Sequence, residues 1–227
     1  MNQKIISPKE FNLAPINKSV ILIINLEHFY QFHRLVEGTK IKSFGPSKKF
    51  NFEIGNRIIS VIGGMIGAPL AIITAENAIS SGGVDFVCFG TVGSIAKDPI
   101  QPGTCISPKM GYDKTGILKD YGSDQKQMDF ITTEDFFKPV NLISLNSIYQ
   151  LDIEMIKEFQ NSDIGLMDME ITALGYVITK KANSFRPLLI VSDYIDKNYS
   201  WVNSYSTENF KSGIEKGLKY LKFIFNT

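Results

Sequence analysis

The amino-acid sequence predicts an α/β fold in which helices cover both faces of one sheet. Short apolar runs alternate with segments of helical period along almost the whole chain, which is typical of strands joined by helical crossovers. The 227 residues are 44% hydrophobic and 21% charged, so the chain can bury a sizeable core. No linker, internal repeat or low-complexity tract interrupts residues 1–227, and we therefore expect a single domain.

Each predicted element has a local reason. Short apolar runs bounded by turn residues predict strands at Val20–Ile24, Ile58–Ile62, Val84–Phe89, Thr104–Pro108, Val140–Leu145, Ile164–Met167 and Leu188–Val191. Apolar residues at helical spacing predict helices from the end of the first strand to Val36 and over Pro69–Ser80, Asp152–Phe159, Met169–Lys181 and Thr207–Phe225. Residues 109–138 are polar and irregular, which favours a functional loop, and the basic stretch Lys40–Lys49 is predicted to be a solvated loop.

Charge and composition exclude several classes of protein. Lys plus Arg is 24 and Asp plus Glu is 23, giving a net charge of +1, so we expect neither nucleic acid nor a membrane as a partner. Residues 1–18 contain no apolar run of signal-peptide length, and the expected location is the cytoplasm. Cys88 and Cys105 lie in apolar runs and are expected to be core residues. With only His28 and His33, no metal site is predicted.

Three predicted strand ends carry residues suited to binding a small molecule. They are Gly90–Ser94, Asp168–Glu170 and Ser192–Asp193. In open α/β sheets ligands bind beyond the carboxyl ends of the strands, so these segments are candidates for one pocket. Each also has a purely structural interpretation: a strand-exit turn for the first, a helix N-cap for the second and an Asx-type turn for the third.

The chemistry of the three segments favours a nucleoside-like ligand. Glycines let a backbone approach a ligand closely, and the Thr91 hydroxyl can bind an oxyanion or a sugar. The Glu170 carboxylate has two acceptor oxygens for a vicinal diol, and a half-buried Asp193 can act as a general acid. Glu27 is a candidate general base. The chain lacks a G-x-S-x-G elbow, and Cys88 has no electropositive neighbour in sequence, which argues against serine and cysteine nucleophiles.

Four stretches, in this order, resemble the nucleoside phosphorylase/nucleosidase family. They are residues 59–69, 87–94, 165–170 and 191–193. The family contains purine nucleoside phosphorylases, uridine phosphorylases and methylthioadenosine/adenosylhomocysteine nucleosidases. The resemblance implies a three-layer α/β/α sandwich with a central mixed, twisted sheet. It also implies cleavage of the N-glycosidic bond of a purine (deoxy)ribonucleoside, no cofactor, and a homo-oligomer (a dimer or a hexamer).

The resemblance also assigns roles to individual residues. Met169 and Glu170 would hold the ribose, and Asp193 would protonate the purine at N7 as the bond breaks. An aspartate at this position favours purines over uridine, because the uridine phosphorylases are not expected to use one there. The remaining substrate-binding residues implied by the family are Thr91, Val92, Gly93, Ile148 and Met167.

The nucleophile distinguishes a phosphorylase from a hydrolase. Bidentate arginines suit phosphate, but two positions where the family carries them are Cys88 and the neighbourhood of Ser206. By the same resemblance, Gly67, Thr91 and Arg57 remain as contacts for phosphate or water. Arg57 matches the position from which the hexameric phosphorylases reach into a neighbouring subunit's phosphate site. We therefore expect a nucleosidase with Glu27 as base. The alternatives are a phosphorylase that uses inorganic phosphate as co-substrate, and a degenerate member that only binds a nucleoside.

Overall fold

The structure, a computed structural model, describes residues 6–11, 13–130 and 140–225. Its strands are β1 (Ser19–Ile23), β2 (Lys42–Phe44), β3 (Ser47–Ile54), β4 (Arg57–Gly63), β5 (Asp85–Ser94), β6 (Cys105–Ile106), β7 (Met110–Asp113), β8 (Gln127–Asp129), β9 (Asn141–Ser144), β10 (Ile164–Asp168), β11 (Ser184–Ile195) and β12 (Trp201–Asn203). Every strand predicted from the sequence is present, although several have different ends.

Six α-helices lie within the described ranges. They are α1 (Leu26–Val36), α2 (Ala68–Ser80), α3 (Ile117–Asp120), α4 (Ile153–Asn161), α5 (Ile171–Lys181) and α6 (Glu208–Phe223). Side-chain oxygens of Asn25, Asp152 and Thr207 accept amide N–H groups in the first turns of α1, α4 and α6, which satisfies donors that a helix start leaves unpaired. Pro69 lies in the first turn of α2, as predicted.

The strands form a mixed twisted sheet, which confirms the predicted fold class. Parallel pairs join β1 to β4 and β5, β5 to β11, and β9 to β7 and β10. The hairpins β2–β3 and β3–β4 and the pair β11–β12 are antiparallel. Strand β10 joins the end of β5 antiparallel through Met167 opposite Gly93. The carboxyl ends of β1, β5, β10 and β11 therefore lie near one another.

Two apolar layers cover opposite faces of this sheet. Successive strand residues point to opposite faces, and β1 shows it directly: Val20 and Leu22 pack into the layer with α2 and α5, whereas Ile21 and Ile23 pack into the layer with α1 and α6. All four side chains are fully buried. The protein is thus a three-layer α/β/α sandwich, and the predicted helices on both faces are confirmed.

The structure corrects four of the local predictions. The segment Gly90–Ser94 is not an exit turn, because β5 continues to Ser94 and pairs with β11 along that length. Likewise β11 runs through Ser192–Asp193 to Ile195. The predicted loop Lys40–Lys49 holds β2 and the start of β3, in which Phe44 and Ser47 are buried. Within 109–138, β7, α3 and β8 are regular, and 131–139 lie outside the described residues.

We also searched the described part of the chain for membrane-spanning helices and for groups of metal-binding side chains. No helix within it is long and apolar enough to cross a membrane. It contains no group of three or more His, Cys, Asp or Glu side chains that could hold a metal ion.

Candidate active site

A pocket of about 190 Å³ lies where the ends of four strands meet. Its lining comes from the end of β1, from β5, from the β10–α5 junction, from β11 and from three more distant positions. The residues are Ile24, Asn25, Ile66, Thr91, Val92, Gly93, Ile148, Met167, Asp168, Met169, Glu170, Ser192, Asp193 and Tyr205. The three strand-end segments singled out in the sequence thus share one pocket, and every substrate-binding residue implied by the family resemblance lines it.

Asp193 reaches the pocket through an irregularity in β11. The pairing of β11 with β5 shifts register between Val191 and Asp193, so that Val191 lies opposite Val92 and Asp193 opposite Gly93. Ser192 is the extra residue of this bulge, a feature that re-aims side chains beside functional sites. A Cβ on Gly93 would approach Asp193 Oδ2 to 3.0 Å, so the glycine leaves the space that the carboxylate occupies.

Two donors of the same chain hold the buried Asp193 carboxylate. The Ser192 hydroxyl donates to Oδ1 at 2.5 Å, and the indole N–H of Trp201 donates to Oδ2 at 2.9 Å. Asp193 is 7% exposed. Such contacts fix the orientation of a carboxyl group in the wall of a pocket, which a proton donor requires.

Glu170 lies at the β10–α5 junction and is also buried. The backbone N–H of Gly67, at the start of α2, donates to Glu170 Oε1 at 2.5 Å. Burial, together with the nearby Asp168 carboxylate, raises the pKa of Glu170 to about 7. The Glu170 side chain lines the pocket, where its carboxylate can also accept a hydroxyl group.

Asp168 has a structural task. Its carboxylate accepts the Ser144 hydroxyl and the backbone N–H groups of Glu170 and Ile171. Burial raises its pKa, and these hydrogen bonds oppose the rise. By capping the first turn of α5, Asp168 fixes the backbone that carries Met169 and Glu170 into the pocket.

Three residues predicted to contact phosphate or to activate water do not line the pocket. Glu27 lies in the exposed first turn of α1, where its carboxylate accepts the Gln31 amide at 3.3 Å. It lines a groove of about 730 Å³ between α1 and α6 that adjoins the pocket. The Gly67 N–H is bonded to Glu170. Arg57 begins β4, at the sheet edge opposite the pocket, and donates to the Phe225 carbonyl at 2.5 Å. It does not line the pocket of its own chain.

The pocket contains no cationic side chain from the described residues. Cys88, in place of an expected arginine, is fully buried in β5. Burial and the carboxylates of Glu170 and Asp168 raise the pKa of its thiol well above the usual range. A neutral buried thiol neither binds phosphate nor attacks a substrate.

Sequence reasoning missed some of the lining and a neighbouring cavity. The sequence patterns do not indicate Ile24, Asn25 and Ile66 as lining residues, although Asn25 precedes a helix and is an N-cap residue of the type that this position favours. An apolar cavity of about 320 Å³ adjoins the pocket and shares Ile148 and Met167 with it. Ile148 is 37% exposed, whereas Tyr149 is 93% exposed and lines only the second cavity.

Comparison with known proteins identifies the fold. No family model and no curated protein matches the chain. Among solved structures, uridine phosphorylase from Vibrio fischeri is similar with a TM-score of 0.77 at 16% identity, over 97% of this chain and 94% of that one. Purine nucleoside phosphorylase from Toxoplasma gondii, in complex with immucillin-H, gives 0.77 at 16% identity over 93% and 91%.

A hydrolytic enzyme is similar as well. The 5′-methylthioadenosine/S-adenosylhomocysteine nucleosidase from Neisseria meningitidis, in complex with methylthio-immucillin-A, gives a TM-score of 0.72 at 15% identity over 92% of this chain and 98% of that one. The protein therefore has the fold of the nucleoside phosphorylases and nucleosidases, which is the fold that the sequence motifs imply. At these identities the likeness concerns the fold alone.

Proposed function

We propose that the protein cleaves the N-glycosidic bond of a purine nucleoside. The observation that carries the proposal is the placement of two buried carboxyl groups, Asp193 and Glu170, in the wall of one pocket at the carboxyl end of the sheet. Glu170 would accept the ribose hydroxyls, and Asp193 would protonate the departing base. The solved structures of similar fold include nucleoside-cleaving enzymes, which supports the reaction class.

We favour hydrolysis over phosphorolysis. Binding phosphate in a buried site depends on charge-assisted hydrogen bonds, and the lining from the described residues holds no Lys or Arg. Water needs no such cage. The predicted base, Glu27, lies in the adjoining groove, which shares Asn25 and Tyr205 with the pocket. A phosphorylase would need cations from outside this lining, such as Arg57 of a neighbouring copy in a homo-oligomer.

The test is a chromatographic assay for free base with adenosine, inosine, methylthioadenosine and uridine, with and without inorganic phosphate. We expect purine release without phosphate, and its loss in Glu27→Gln. Release only with phosphate, and its loss in Arg57→Ala, would make the protein a phosphorylase. No release, combined with a thermal shift on adding a nucleoside, would make it a binding protein.

Asp193→Asn tests the assignment of the acid. We expect purine release to fall about 100-fold or more, the usual contribution of a general acid. The matched control is Asp98→Asn, which makes the same change at an exposed residue after β5, outside the pocket. Equal rates in both variants would remove Asp193 from the mechanism.

A further inference from the structure

Trp201 is the only tryptophan of the chain, and it contacts the proposed acid directly. It begins β12, whose antiparallel pairing with β11 places it opposite Ile195 and places Asn203 opposite Asp193. From there its indole N–H donates to Asp193 Oδ2 at 2.9 Å. The other carboxylate oxygen accepts the Ser192 hydroxyl, and among the described residues no Lys, Arg or His forms an ion pair with Asp193.

The turn between β11 and β12 fixes this contact. One Asp196 oxygen accepts the backbone N–H groups of Asn198 and Ser200, both at 2.8 Å, and the Asp196 N–H donates to the Ser200 carbonyl. Trp201 is 54% exposed, yet its ring also lines the apolar cavity beside Ile148 and Met167. The turn therefore fixes the backbone that precedes Trp201, and the hydrogen bond to Asp193 holds the indole at the edge of this cavity.

We propose that Trp201 is a positioning residue that holds Asp193 for proton donation to the departing base. The inference rests on the function proposed above. In the reaction the C1′–N9 bond breaks and its electron pair goes to the base. The Asp193 proton bonds to N7, and water adds to C1′ and releases the proton that restores the acid. Asp193 becomes a carboxylate in that step, and an N–H donor already aimed at Oδ2 stabilises the developing charge without reorganising.

The test compares two leaving groups. One substrate is the purine nucleoside that the wild type cleaves fastest, and the other is its N7-methyl derivative. The methylated base already carries a positive charge and leaves as a neutral molecule, so it needs no proton from Asp193. The variants are Trp201→Phe, which keeps an aromatic ring and removes the N–H, and Asp193→Asn. A third variant, Asp196→Ala, loosens the same turn without touching either partner.

We expect Trp201→Phe to lower kcat on the unmethylated nucleoside about 10- to 100-fold, the range for losing one hydrogen bond to a charged group. On the N7-methyl substrate the same variant should lose less than about threefold. Asp193→Asn should show the same asymmetry, more strongly. Asp196→Ala, which loosens the turn that fixes the contact, should show the same asymmetry as Trp201→Phe in a weaker form.

A Trp201→Phe variant that loses the same factor on both substrates, or none on either, would overturn the inference while leaving the proposed function intact. A wild-type protein that releases base from neither substrate would instead overturn the proposed function. A second readout needs no turnover. Because Trp201 is the only tryptophan, its emission should change in Asp193→Ala, which removes both acceptor oxygens, and an unchanged spectrum would show that the contact is absent in solution.

Discussion

Replacing Glu170 by Gln should stabilise the folded protein in a pH-dependent way. Burial and the Asp168 carboxylate raise the pKa of Glu170 from 4.5 to about 7. The folded protein therefore binds this proton more tightly than the unfolded chain does, and the stability that it contributes is complete below pH 4.5 and lost as pH rises to about 7. Gln stays neutral throughout, and its oxygen can still accept the Gly67 N–H.

The size of the effect follows from the same shift. A displacement of the pKa by 2.5 units, from 4.5 to about 7, corresponds to about 3.5 kcal/mol at about 1.4 kcal/mol per unit. We expect Glu170→Gln to exceed the wild type in free energy of unfolding by about that amount at pH 8, and by under about 1 kcal/mol at pH 5. Part of the difference is shared with Asp168, so about 3.5 kcal/mol is an upper value.

Urea unfolding monitored by circular dichroism at pH 5, 6, 7 and 8 measures this difference. The matched control is Glu53→Gln, which removes a carboxylate from an exposed position of β3 and should change stability by under about 0.5 kcal/mol at every pH. If Glu170→Gln and the wild type were equally stable at pH 8, the pKa of Glu170 would not be raised by its burial in the folded protein. Purine release by Glu170→Gln should fall, since an amide is a weaker acceptor for the ribose hydroxyls.

Two glycine substitutions give further predictions. Gly93→Ala tests the packing around Asp193, and Gly103→Ala, with Gly55→Ala as its control, tests the stability of the fold. Gly93→Ala places a methyl group within 3.0 Å of Asp193 Oδ2, so base release should fall about tenfold or more while the thermal midpoint changes little; an unchanged rate would mean that this close approach is unimportant. Gly103 has φ +85 and a Cβ there would overlap the Asn209 carbonyl, whereas Gly55 has φ +57 and open space. Gly103→Ala should therefore destabilise the protein by over about 2 kcal/mol in urea unfolding and Gly55→Ala by about 1, and equal losses would contradict the steric argument.

The sequence predicts the convergence of the site better than its contacts. Thr91, Glu170 and Asp193 follow or end apolar runs, and the geometry of α/β sheets brings such ends together. The hydrogen bond from the Gly67 N–H to the Glu170 carboxylate joins residues 103 positions apart, so no local sequence pattern predicts it. The contact of Trp201 with Asp193 depends on the turn at Asp196, whose role only the backbone course reveals.

Two errors had different physical origins. In β3, Phe50 and Phe52 alternate with polar residues, a period of two that indicates a strand, but the preceding lysines suggested a solvated loop. In β5 the pattern itself was ambiguous. Gly90 and Gly93 are strand residues that lack a side chain because neighbouring side chains fill the space that a Cβ would take. The neighbour is Ile24 at Gly90 and Met167 at Gly93. A glycine that makes room for a distant neighbour and a glycine that makes a turn are alike in sequence.

The pairing of β5 with β11 has a consequence for how the protein is made. Asp85 lies beside Ser184, 99 residues later. The strand β5 therefore leaves the ribosome long before β11 has been synthesised. Contacts of such sequence separation slow folding, because loop closure precedes any gain from pairing. The pocket needs residues from Ile24 to Tyr205 and cannot assemble on a shorter nascent chain. The proposed nucleoside ligand would therefore stabilise only the finished protein, and its binding would report that the last strands have docked.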